Sequence, residues 1–153
     1  MAATGPAQAM RTSRILWLAL LAAQGLYVAL LLSGVARLRA EPLEIPALPL
    51  ALAGVAVATG VGAHVFWRRA SGTARPVHAA PDPASAFTSY LLAWVLDESI
   101  GVHGLVLGLL GFGPGVWAPF SAAGLALTLL HRPAGPPLQP PGAGPGPAPH
   151  DRA

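Results

Sequence analysis

Apolar residues fall in four runs, separated by short polar or Gly/Pro-rich segments. Residues 15–35 carry no charge and read ILWLALLAAQGLYVALLLSGV. A helix needs about 20 such residues to cross a bilayer. A cleaved leader has a shorter apolar stretch, about 7–15 residues, ending in small residues. This run is longer and ARLRA follows it, so it reads as an uncleaved span. Residues 45–67 form the second span, with Pro46 and Pro49 suited to a first helical turn, where a missing N–H costs nothing. The third span covers 87–110, and Asp82 followed by Pro83 reads as cap and first turn of its helix. GFGPG at 111–115 is a tight turn. The fourth segment, 114–131, is short, with Pro119 near its start and His131 and Arg132 closing it. It reads as a thin or tilted span, or a re-entrant one. The expected architecture is an all-α integral membrane bundle of four transmembrane helices, the fourth short, with no sheet. A polar tail at 1–14, a connection at 36–44 and a loop at 68–86 link these spans, and the Pro/Gly-rich tail 132–153 has too little apolar bulk to fold.

Composition agrees with this pattern. Charged residues make up 10% of the chain against about 25% in soluble domains. The chain has no cysteine, which excludes disulfides, thiolate metal sites and thiol nucleophiles. The net charge of +3 comes from nine arginines and no lysine. These arginines flank apolar runs, so they orient helices in a bilayer and do not indicate nucleic-acid binding. Arg11, Arg14, Arg68, Arg69, Arg75, Arg132 and Arg152 fall on one side of a four-span topology, and Arg37 and Arg39 on the other, offset by Glu41 and Glu44. Both termini are therefore expected in the cytoplasm. The weight of Ala, Gly, Pro and Arg points to a high-GC bacterial genome, hence a bacterial inner membrane. There is no HExxH, GxSxG or phosphate-loop motif. No enzyme activity, metal or cofactor is expected. The expected partners are the lipid bilayer and either further copies of the chain or a membrane complex.

Asp97 and Glu98 are the only charges in the third run and stand near its centre. A charge at that depth costs about 2.5–3.5 kcal/mol on insertion scales, so it marks a functional site by default. Adjacent residues on a helix diverge by about 100°. Asp97 joins Trp94, Gly101, Gly104, Gly108 and Gly111 at steps of three and four, a seam where a neighbouring backbone can come close. Asp97 should therefore look inward. Glu98 shares its stripe with Leu91, Val95, Val102, Leu105 and Leu109, so it faces lipid, another helix or another subunit. The second span offers small residues at Gly54, Ala58 and Gly62, and at Ala53, Ala56, Gly60 and Ala63. Spans two and three should pair tightly through these stripes. Asp97, Glu98 and His103 are the candidate proton- or ion-binding groups. His103 lies about 7.5 Å along the axis from Glu98, and either pairs with a carboxylate or reaches the outer interface. The structural alternative for the acids is a protonated carboxyl bonding across helices, or a site shallower than its place in the run. Gln24 reads as an interhelical hydrogen bond, and His64, close to Trp67 and two arginines, as an interfacial histidine.

The stretch AWVLDESIGVHGLVLGLL resembles the carboxylate helix of the rotary ATP synthase c subunit, the proteolipid. In that family an acid precedes a Gly-Leu-Val by six residues. Here Glu98 takes the acid position, with Gly104, Leu105 and Val106 following and His103 where an aromatic often stands. The Gly/Ala-rich GVAVATGVGAHVF and an Arg-bearing loop extend the resemblance over residues 50–112. The resemblance implies a hairpin whose acid, Glu98, carries a proton or Na⁺. Asp97 has no place in the family pattern, and the first and fourth helices lie outside it. The alternative expectation is a non-catalytic membrane scaffold that packs partner helices through its glycine seams.

Overall fold

The computed structural model describes residues 6–34, 45–71 and 83–133. Among these residues the fold is all-α with no strand: α1 (Pro6–Leu32), α2 (Ala47–Ala70), α3 (Pro83–Leu109) and α4 (Pro114–Leu130). Three helices are long and apolar enough to cross a membrane, and the fourth is a shorter apolar helix. Of the expected loop 68–86, residues 68–70 extend α2 and 83–86 begin α3, while 72–82 with the Asp82 cap, the connection 36–44 and the tail beyond Pro133 lie outside the described residues.

The helix ends follow local chemistry. Gly34 at φ 69° ends α1, its N–H bonding Leu31 O. Pro83 occupies the first turn of α3, where its missing N–H has no helical partner to lose. Gly111, at φ 88°, closes α3: the N–H of Phe112 returns to Leu107 O at 3.1 Å and that of Gly111 to Gly108 O at 3.1 Å. The seam expected to run on to Gly111 therefore stops at Gly108, because position 111 is a helix cap. Pro114 opens α4, and Pro119 lies inside that helix. α1 begins at Pro6, so residues 6–14, expected as a tail, are helical.

α3 is the central element and packs against the other three helices, while the backbones of α1 and α2 stay apart. Of its apolar span 44% is buried, against 6% for α1 and 6% for α2, which turn their apolar faces outward. Leu26, Leu50, Val57 and Val61 are among the side chains left exposed on those faces. Such faces have no place in water and suit a hydrocarbon surround.

α2 and α3 pack against each other as expected, but the glycine seam of α3 is covered by α1 and α4 and not by α2. A Cβ on Gly101 would lie 3.4 Å from Gln24 of α1. One on Gly104 would lie 2.6 Å from Ser121 Oγ and 2.9 Å from Trp117 O. One on Gly108 would strike the Leu31 side chain. Gly124 of α4 reciprocates, its Cβ position lying 2.8 Å from Gly101 N and 3.0 Å from Asp97 O. α2 instead meets larger side chains of α3. A Cβ on Gly60 would lie 3.7 Å from Ile100, and one on Gly62 would lie 3.5 Å from Leu96. A Cβ on Gly54 would meet nothing within 4 Å, so this glycine packs against no neighbour in the bundle.

Candidate functional site

α4 carries Trp117, Ser121, Gly124, Thr128 and His131 at alternating steps of four and three, and this stripe is its buried face. The spacing brings the end of α4 against the middle of α3. There His131 Nδ1 and Asp97 Oδ2 share a hydrogen bond at 2.8 Å, with both side chains wholly shielded. Burying a carboxylate is costly unless it is paired and hydrogen-bonded. His131 supplies that partner from just past the end of α4.

Two indoles hold His131 in place. Trp94 Nε1 donates to His131 O at 2.8 Å, and Trp17 Nε1 donates to Thr128 O at 2.7 Å. The last carbonyls of a helix lack helical donors, so α1 and α3 here cap α4 through side chains. Gln24 Nε2 adds a buried bond to Thr128 Oγ1 at 2.7 Å. Trp67 packs against His131 with ring centroids 5.3 Å apart, and His64 stacks on Trp67 at 5.7 Å.

The other ring nitrogen of His131 leads outward. His131 Nε2 lies 3.4 Å from His64 Nδ1, and His64 is exposed. One set of tautomers serves both contacts: His64 Nδ1–H points to His131 Nε2, and His131 Nδ1–H points to Asp97. A shielded carboxyl is thus joined to the protein surface by two imidazoles. On the inner side, Asp97 Oδ1 and Gln24 Oε1 are buried without a hydrogen-bond partner.

Asp97 lies at the arginine-bearing end of the bundle. It pairs with His131, the neighbour of Arg132, and Trp67, against the same ring, precedes Arg68. Trp17 follows Arg14 by three residues and bonds at the same end of α4. The sequence expectation of a mid-run, mid-membrane acid counted depth along α3 alone. In the structure Asp97 lies level with the end of α4, beside His131.

The other candidates separate from this site. Glu98 is half-buried and accepts a hydrogen bond from Tyr27 of α1 at 2.9 Å, so it faces a helix of its own chain. His103 hydrogen-bonds neither acid; it sits edge-on to Phe120, ring centroids 6.5 Å apart, and its Nδ1 is buried without a partner. Sequence reasoning did not single out His131, Thr128 or Tyr27. The small and polar stripe of α4 was the signal that could have found the first two. Among the described residues no three His, Asp or Glu side chains gather where a metal ion could be held.

Comparison of the chain with protein-family models, with curated proteins and with solved structures finds no match.

Proposed function

We propose that this chain is a proton-binding component of a membrane, and that Asp97 is its proton-loading group. The observation that carries this reading is the line Asp97–His131–His64, which runs from a wholly shielded carboxyl to an exposed imidazole. The step balances. A proton arrives on His64 Nε2, and His64 passes its Nδ1 proton to His131 Nε2. His131 passes its Nδ1 proton to Asp97 Oδ2. Each imidazole gains one proton and loses one, and rotation or tautomer exchange resets it. Once protonated, Asp97 also has an O–H to donate within a layer that otherwise leaves acceptors unpartnered.

The proteolipid resemblance gives the carrier position to Glu98. Geometry favours Asp97 instead: Glu98 has a tyrosine donor and partial exposure, and no imidazole reaches it. In this reading the chain crosses a bacterial inner membrane with both termini in the cytoplasm, so protons enter from the cytoplasmic face.

The test is infrared difference spectroscopy on the reconstituted protein through a pH jump. A protonated-carboxyl band should rise on acidification in the wild type and in Glu98→Gln, and be missing in Asp97→Asn. A band that vanishes only in Glu98→Gln returns the role to the proteolipid position. No band in the wild type ends the proton-binding reading.

A further inference from the structure

The backbones of α1 and α2 stay apart, and a cleft of about 990 Å³ opens between them over the end of α4. Its wall carries Arg14 and Arg132, with Trp17 and Trp67 beside them. Leu18, Leu129 and Leu130 continue the wall, and each is exposed, at 54%, 48% and 60%. Cationic heads above an apolar strip, with indoles at the boundary, match the layers of a bilayer interface.

Among the described residues the charges in this cleft have no counterpart. Asp97 and Glu98 are the only acids among the described residues, and they are taken by His131 and Tyr27. Neither Arg14 nor Arg132 has an ion-pair partner among the described residues. Trp67 Nε1 is a further donor, buried and without an acceptor.

We propose that this cleft binds one anionic phospholipid. Arg14 and Arg132 hold its phosphate, and an acyl chain lies along Leu18, Leu129 and Leu130. A bare anion would satisfy the arginines but leave the leucines exposed, whereas a zwitterionic lipid would fill the strip and bring no net charge. The inference rests on the membrane reading and is independent of the proton relay.

The test uses the full chain in detergent micelles, titrated with phosphatidylglycerol or phosphatidylcholine and read by native mass spectrometry. Extraction from cells only by detergent checks the membrane reading separately. The wild type should retain one phosphatidylglycerol in preference to phosphatidylcholine. Arg14→Gln/Arg132→Gln should lose about thirtyfold of that preference, given about fivefold per arginine near an anionic surface. Arg11→Gln/Arg69→Gln removes the same charge outside the cleft and should leave the preference in place. An equal loss in that second pair would overturn the proposal, because the attraction would then be a diffuse field. Displacement by inorganic phosphate as effective as by lipid would also overturn it, leaving a free-anion site. Equal retention of the two lipids in the wild type, as expected if other parts of the chain fill the cleft, would do the same.

Discussion

Asp97 of α3 and His131, the residue after α4, meet at 2.8 Å with neither side chain exposed to solvent. The contact links the middle of one helix to the end of another, so it is structural as well as a step in the proposed proton route. Removing one member of a buried pair strands the other, at a cost of about 3–5 kcal/mol. Asp97→Leu and His131→Phe should each destabilise the fold on that scale, and Asp97→Leu/His131→Phe should cost well under their sum. Denaturation in mixed micelles would measure all three. Strictly additive costs would mean that the pair is not coupled.

Among the described glycines, the Cβ position nearest to another helix's backbone is at Gly124. A Cβ there would lie 2.8 Å from Gly101 N and 3.0 Å from Asp97 O, and backbone atoms have little room to move aside. Gly124→Ala should therefore destabilise by about 1–3 kcal/mol, the usual range for overpacking. Gly108→Ala should cost less, because the atoms in its way end the flexible Leu31 side chain. Gly54→Ala should be neutral or stabilising by up to about 1 kcal/mol, since its surroundings are open and alanine favours helix. Unfolding of the three variants in one detergent would rank them.

The helices were legible because apolar runs of span length leave few alternatives, and the inward aspect of Asp97 followed from its place among the α3 glycines. The partner of that seam was not legible. Small residues on α2 matched it as well as those on α4, and only the three-dimensional arrangement sends Gly104 to Ser121 and Gly101 to Gln24 and Gly124. His131 was read as a helix terminator because its role depends on Asp97, 34 positions earlier in the chain.

Tyr27 donates to Glu98 at 2.9 Å across the α1–α3 contact, near the surface of the bundle. A partly exposed bond of this kind contributes about 0.5–1.5 kcal/mol. Tyr27→Phe should cost no more than that and leave the carboxyl infrared band of the wild type unchanged. Altered band intensity in Tyr27→Phe would tie Glu98 into the proton chemistry.

His64 is the outer end of the proposed relay, and its role is kinetic. Asp97 keeps its bond to His131 when His64 is replaced, so the amount of proton bound at equilibrium should not change. What changes is the access route, because His131 Nε2 then loses the neighbour at 3.4 Å through which a surface proton reaches it. His64→Phe preserves an aromatic ring against Trp67 and removes both nitrogens. A positioned acid–base group typically contributes about 10²–10⁴-fold to a proton-transfer rate, and water entering the gap would recover part of that. The carboxyl band of His64→Phe should therefore reach full amplitude after a pH jump, at a rate lower by about tenfold or more. Imidazole added to the buffer should restore part of the rate, because it supplies the missing carrier without altering the fold. Time-resolved infrared spectroscopy separates amplitude from rate in one experiment. An unchanged rate in His64→Phe would show that protons reach Asp97 by another path.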